Sequence, residues 1–369
     1  MEENKLLTAR EIIDEVDREM ARLFCRRMEA VKLVAEHKRE NALPIFDPAR
    51  EEQVIKKNSE LVRDAEPEVR ECYVKFLRET MAVSRHYQER LIGGMRVAYS
   101  GSEGAFAHIA ANRIFPSAQK LGYASFPDAY EAVARGECDA VVLPIENSSA
   151  GEVGAVADLL YSGPLYINGT YDLAIVQDLL VLPGADIGKI KQVVSHPQAL
   201  SQCAPYIRAH GYSELEYANT ALAAEYVARL GDPTVAAIAS EEAGAKVGLT
   251  VGARAINENT NNTTRFAILS AARNRYPNAR GMDMRFILMF TVKNEAGSLA
   301  RAIDIIGKHG FNMQSLRSRP NKKLLWEYYF YVEAEGNIDS PQGEDMLDEL
   351  LLCCDRLKLV GSYKHNSGD

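Results

Sequence analysis

Glu89-Arg90-Leu91-Ile92-Gly93-Gly94-Met95-Arg96-Val97-Ala98-Tyr99 is the stretch on which the reading of this chain turns. To its left, residues 1–92 contain no glycine and 38 of them are charged; to its right, 31 of residues 93–275 are charged and all 25 glycines begin. Such a change in composition marks a domain boundary, with Gly93-Gly94 as the joint. The left side predicts three helices, about 6–40, 48–65 and 68–92, with Pro44, Pro48 and Pro67 between the helical patterns. Asp47-Pro48 reads as an N-cap followed by a first-turn proline.

To the right, short apolar runs at 97–99, 140–144, 174–176, 193–194 and 235–239 alternate with helical stretches such as 128–135 and 221–230. That alternation predicts an α/β fold with largely parallel strands. A linker is expected at 274–281. Beyond it, strands at 285–292, 313–319, 327–333 and 358–363 and helices at 298–309 and 344–352 give the βαββαβ order of a small ferredoxin-like module. The expectation is therefore a multidomain chain: an all-α bundle over 1–92, a two-lobed α/β domain over 93–275 and a βαββαβ module over 282–365.

Composition narrows the function. Hydrophobic residues make up 47% and charged residues 25% of the 369, with net charge −8 and no basic cluster. These proportions predict a soluble cytoplasmic protein with no nucleic-acid or membrane surface. The six cysteines have neither Cys-x-x-Cys spacing nor histidine-rich company, so no metal or other cofactor is expected.

On the first helix, Ile13, Val16, Met20, Leu23, Val31 and Val34 fall within roughly 40° of one line at 100° per residue. Arg27 lies at the centre of that stripe and Lys38 on the same face, while Arg10 points to a flank. A buried guanidinium costs several kcal/mol without an anion. The alternatives are a buried ion pair, for example with Glu51, a snorkelling side chain, or an anion pocket. Asp47, Arg50 and Glu51 open the second helix, and Ser84 and Gln88 share a face of the third.

Arg10, Arg27, Lys38, Asp47, Arg50, Glu51, Ser84 and Gln88 resemble, in order and spacing, the all-helical chorismate mutases. The resemblance implies a unimolecular pericyclic rearrangement of the dicarboxylate chorismate to prephenate. Catalysis then rests on holding a compact conformer and stabilising charge on the breaking ether oxygen. It also implies that Arg10 and Arg27 clamp carboxylates, that Lys38 and Gln88 donate to the ether oxygen, and that Glu51, supported by Asp47, takes the ring hydroxyl. The family is an intertwined dimer in which the first arginine reaches the partner's site, so a homodimer or higher oligomer is expected.

In the middle region, polar loops follow apolar runs at Glu146-Asn147-Ser148, Ser195-His196-Pro197-Gln198 and Ser240-Glu241-Glu242. Ligands of open α/β sheets bind at such strand ends, although polar residues there also serve as turn formers and caps. His196 reads equally as a catalytic or a hydrogen-bonded structural residue. Thr263-Thr264-Arg265-Phe266, taken with Gly101-x-x-Gly104, Glu146-Asn147-Ser148-x-x-Gly151, the stretch from Ser195 to Gln202 and Asn219-Thr220, resembles the prephenate dehydratases over about 95–272. The resemblance implies loss of the ring hydroxyl as water and of the ring carboxylate as CO2. It makes Thr264 the donor to the leaving hydroxyl, Arg265 a carboxylate ligand and Phe266 a packing residue. Glu146, Asn147, Ser148, Ser195, His196, Gln202 and Thr220 would bind or orient the substrate.

The last module resembles ACT domains, which regulate many such enzymes by binding phenylalanine. Its counterpart segments are Gly297-Ser298-Leu299-Ala300 and Arg317-Ser318-Arg319-Pro320, with Arg317 where the family pattern has an acid. The resemblances together imply a fused mutase and dehydratase of phenylalanine biosynthesis, feedback-regulated by phenylalanine. Two other functions are compatible: a dehydratase preferring arogenate, and a non-catalytic metabolite sensor.

Overall fold

The computed structural model describes the chain except for residues 1, 41–44, 46–47, 260, 278, 280–281, 321–327 and 365–369. It forms two compact units, Met1–Met95 and Arg96–Asp369. No helix among the described residues is long and apolar enough to cross a membrane.

The first unit holds α1 (Glu2–Glu40), α2 (Pro48–Ser59), one 3-10 turn (Glu60–Val62) and α3 (Pro67–Gly93). Pro67 starts α3 at a position where its missing N–H costs nothing. The expected apolar stripe on α1 is only partly inward. Val31 and Ala35 are buried, but Ile13, Val16, Met20, Leu23 and Val34 are exposed. The inward line therefore runs through residues 27, 31, 35 and 38, spaced for one helix face. The N-terminal half of α1 has no cover among the described residues of its own unit.

The second unit opens with β1 (Arg96–Ser100), α4 (Phe106–Ile114), β2 (Gln119–Tyr123), α5 (Phe126–Ala134), β3 (Ala140–Asn147), β4 (Gly151–Glu152), α6 (Gly154–Ser162) and β5 (Tyr166–Ala174). The chain crosses to a second lobe made of β6 (Asp178–Val181), β7 (Gln192–Ser195), α7 (Pro197–Gln202), α8 (Ala204–His210), β8 (Ser213–Glu216), α9 (Thr220–Leu230), β9 (Val235–Ala239), α10 (Glu241–Lys246) and β10 (Thr250–Ala253). It returns on β11 (Thr263–Ser270). β1 runs parallel to β2 and β3, but β11 is antiparallel to both β3 and β5. The expected parallel character is thus diluted, because the strand that leaves a lobe and the one that re-enters it lie side by side. The apolar run at 174–176 is the crossing itself, ending β5 rather than forming a strand of its own.

The remaining elements are β12 (Met284–Thr291), α11 (Ser298–Lys308), β13 (Asn312–Pro320), β14 (Tyr328–Glu335), α12 (Pro341–Leu351) and β15 (Arg356–Lys364). Their order is βαββαβ, and the four strands lie as β13-β14-β12-β15. The module shares its sheet with the first lobe, since β15 pairs with β5 at Gly361 and Ile167. A Cβ on Gly361 would overlap the Ile167 carbonyl, so only glycine allows this approach. One core continues through both parts, with Ile167, Ala267 and Leu269 packed among Ile287, Met289, Tyr329 and Tyr363. The expected linker is also tied down where it is described: just before it Arg273 pairs with Asp339 at 2.6 Å, and within it the Tyr276 amide donates to the same carboxylate at 2.8 Å.

Candidate active sites

In the first unit α1 and α3 bring Arg27, Ser84 and Gln88 together. Arg27 donates to the Ser84 hydroxyl, and burial pulls its guanidinium below the usual range. Gln88 is buried, its amide donates to the Ser84 carbonyl at 3.3 Å, and its Oε1 has no partner. Lys38 Nζ donates to the Ile45 carbonyl at 2.5 Å. Glu51 is paired with Arg85, a residue that the sequence reading passed over because it sits among ordinary charges on α3. Arg10 and Arg50 are exposed, and Asp47 lies outside the described residues.

The second unit carries a cavity of ≈ 510 Å³ between its lobes, lined by Asn147, Ala150, Gly151, Glu152, Gln177, His196, Gln202, Asn219, Thr220, Thr264 and Phe266, among others. Asn147 sits at the end of β3 and Thr264 opposite it on β11, in register. Asn147 Nδ2 donates to Thr264 Oγ1 at 2.9 Å and to Asn262 Oδ1 at 2.9 Å, while its Oδ1 accepts from the amides of Ser149 and Ala150. The Thr264 oxygen is therefore already accepting, which leaves its proton for a ligand. Gln202 Oε1 accepts from Asn262, extending the chain of amides along the wall.

The helix starts of α4 and α9 also meet the cavity. Ala105 and Phe106 open α4, and Asn219 caps α9 through the Leu222 amide at 2.7 Å with Thr220 next to it. Gly104, with φ of 90°, precedes α4; a Cβ there would meet the Ala243 backbone across the lobes at 3.2 Å. None of the described lining residues is lysine or arginine. The starts of α4 and α9 each bring positive potential to this cavity.

Four expected site residues do not line the cavity. Side chains alternate along a strand, so the neighbours of Thr264 and Asn147 turn the other way. Arg265 forms a two-bonded pair with Asp172 at 2.8 and 2.9 Å, which pushes its guanidinium pKa up, and it does not line the cavity. Glu146 likewise points away and pairs with Arg317 at 2.5 Å. Ser195 is fully buried, with its hydroxyl spent on the Ile238 carbonyl. Ser148 is exposed at the rim and latches the turn to β11 by accepting from the Thr263 amide at 2.9 Å. His196 lines the cavity as the N-cap of α7, its Nδ1 accepting from the Gln198 amide.

The expected effector segments are also divided between faces. Leu299 packs into the helix side of the C-terminal module, with Gly297 in a left-handed turn just before α11. On β13, Arg317 and Arg319 turn towards the first lobe, whereas Ser318 and Pro320 are exposed. Ser318 and Pro320 alternate with the two arginines along β13 and so lie on its other face.

Residues 97–274 match the prephenate dehydratase family model, and residues 9–89 match that of chorismate mutase type II. A bifunctional chorismate mutase/prephenate dehydratase of Aquifex aeolicus is 33% identical, with 98% of each chain aligned. The chain belongs to this bifunctional family. Among solved structures, the Arthrobacter aurescens prephenate dehydratase in complex with L-Phe matches with TM-score 0.67 and 27% identity, over 73% of this chain and 90% of that one. A structure described as a quorum-quenching acylase also gives TM-score 0.67, at 29% identity over 74% and 98%. The N-terminal helices are the chorismate mutase domain, and the cavity lies in the prephenate dehydratase domain.

One residue of the dehydratase cavity carried no signal in the sequence. Gln177 follows the crossing from β5; its backbone N–H donates to Asn257 and its carbonyl accepts from Ile256. The side chain is 3% exposed, lines the cavity, and its Oε1 has no partner.

Proposed function

We propose that the protein rearranges chorismate to prephenate on its helical unit and converts prephenate to phenylpyruvate in the cavity between the lobes, acting in the cytoplasm in phenylalanine biosynthesis. The hydrogen bond from Asn147 to Thr264, in a cavity with no lysine or arginine among its described lining residues, carries the second half of this reading. Prephenate loses its ring hydroxyl and ring carboxylate together: the C–CO2 pair flows into the ring, the C–OH bond breaks, and the departing oxygen takes a proton to leave as water. Thr264, with its oxygen already accepting from Asn147, is poised to donate to that departing oxygen. A carboxylate destined to leave as neutral CO2 is better served by amides at helix starts than by a fixed guanidinium, which would hold its charge in place. Asn147, Gln202, His196 and Thr220 would orient the substrate, with Phe266 walling the cavity.

At neutral pH the ring hydroxyl is the sole hydrogen-bond donor of prephenate. The unpartnered acceptor of Gln177 matches it, since a buried acceptor left unpaired costs about 1–3 kcal/mol. The similarity to an acylase does not change this reading. Thr264 Oγ1 is bonded to an amide and not to a histidine or lysine, so no base activates it as a nucleophile.

In the mutase half, Arg27 and Arg10 would clamp the carboxylates, Lys38 and Gln88 would serve the ether oxygen, and Glu51, held by Arg85, the ring hydroxyl. The exposed half of α1 favours a homodimer in which Arg10 reaches the partner's site. Free cysteines suit a reducing compartment. Phenylalanine, the ligand of the Arthrobacter structure, would bind beside Gly297–Ala300 and Ser318 and lower dehydratase turnover. The test feeds chorismate to the purified protein and follows prephenate and phenylpyruvate together, with phenylalanine titrated into a second series. Phenylpyruvate formation from chorismate is expected; accumulation of neither product would overturn the reading, and unaltered turnover at millimolar phenylalanine would remove the regulatory part.

A further inference from the structure

The hairpin formed by β3 and β4 makes one wall of the dehydratase cavity, with Glu146 opposite Glu152 and Asn147 opposite Gly151. On the far side of this wall lies β13 of the C-terminal module. Arg317 Nη2 reaches Glu146 Oε1 at 2.5 Å. Two residues on, and so on the same face, Arg319 reaches Glu152 at 3.4 Å and Asp158 of α6 at 3.6 Å. Arg319 is itself fixed by the Tyr329 hydroxyl at 3.0 Å, and that hydroxyl donates to Asp158 at 2.8 Å. Tyr329 stacks flat on Tyr161 at 4.3 Å between ring centres. Gly154 leaves the space that the Arg319 guanidinium occupies.

We propose that Arg317 and Arg319 are positioning residues for the dehydratase reaction: one guanidinium holds each strand of the hairpin that presents Asn147 to Thr264. This rests on the cavity being the prephenate site. The pairs are partly exposed, so each contributes little to folding stability. Their effect is geometric. The Asn147–Thr264 bond spans the junction of β3 and β11, so it depends on where the hairpin sits, and a displacement of about 1 Å in such a group can cost 100-fold in rate. Glu146 then acts on the reaction through Arg317, not through the substrate, in keeping with its place outside the cavity lining. The C-terminal module thereby completes the active site mechanically without supplying an atom to it.

Charge exchange separates this from a structural or substrate-binding role. In the full-length chain, Arg317→Glu and Glu146→Arg are each expected to lower kcat for prephenate by about 30-fold, with KM changed by less than about threefold. The double variant carrying both changes should recover to within about fourfold of the parent. Arg319→Lys should retain most activity and Arg319→Gln should lose about tenfold in kcat. Circular dichroism and the thermal unfolding transition of the same preparations report that each chain has folded. An active parent whose double variant recovers nothing would overturn the clamp, because a Glu146 that binds substrate cannot be rescued by inversion. Single variants with parental kcat would also overturn it. If Arg317→Glu prevents folding, Arg317→Lys and Arg317→Gln decide in its place: equal kcat in the two rejects the proposal. Failure of the underlying functional reading looks different, since the unmodified chain would then not turn over prephenate at all.

Discussion

In the mutase unit the charged residues stand on helices whose apolar faces are left open over half of α1, with Arg10 on that open half. In the dehydratase unit the polar residues stand at strand ends, locked by hydrogen bonds among Asn147, Asn262, Gln202 and Thr264 within one chain. The difference is one of secondary structure. A helix presents neighbours at 100° steps and needs another helix to close a pocket around them. A pair of strands in register sets two side chains opposite each other with no further help. On the proposed reading the first site depends on association, whereas the second rests on register within one chain.

That contrast can be broken most directly by removing one site at a time. Thr264→Ala should lower prephenate turnover about 100- to 1,000-fold and leave chorismate turnover intact; Lys38→Ala should do the reverse. Loss of both from one change in a folded chain would end the two-site account. Association comes next. Met20→Glu, on the open face of α1, should give a monomer by light scattering, with mutase activity down about 100-fold and dehydratase activity kept. Heterodimers of Arg10→Ala and Lys38→Ala chains should regain about half of the parental mutase activity, because one of the two sites is then complete in both residues; no recovery would place Arg10 in the site of its own chain.

Smaller effects sharpen the register half of the comparison. Gln177→Met should weaken kcat/KM for prephenate about tenfold, while inhibition by phenylpyruvate, which lacks the ring hydroxyl, stays within about twofold. Equal losses for both ligands would mean that Gln177 does not read the hydroxyl. Arg265→Gln should lower the melting temperature by only about 2–4 °C through loss of the Asp172 pair. Its KM for prephenate should stay within about threefold, whereas a carboxylate ligand would raise it far more.

Much of this was legible from the sequence, and the gaps have physical causes. The absence of glycine before Gly93 and its density afterwards located the change from helices to mixed strands. Thr264, Asn147 and Gln202, singled out in the sequence, all line the cavity between the lobes. Side-chain directions were not all readable, because Arg265 looks as fit for a substrate carboxylate, and Glu146 for the ring hydroxyl, as their neighbours do. Direction depends on pairing, and β3 and β11 shift register between Arg265 and Phe266. Gln177 was invisible because it belongs to no motif; it matters only through the crossing that places it in the wall. On α1 the apolar period was clear, but a period does not say whether the surface that covers it belongs to the same chain.

Gly361 against Ile167 has a consequence for how the chain can be cut. β15 occupies the side of β5 that would otherwise be the rim of the dehydratase sheet. A truncation before residue 282 would free the edge of β5 at Ile167 and strip the cover from Ile167 and Leu269. Open rims of this kind recruit strands from other molecules. The shortened protein should be more prone to aggregate on expression even with every cavity residue intact, because the module that looks like an appendage in the sequence shares the core of the first lobe.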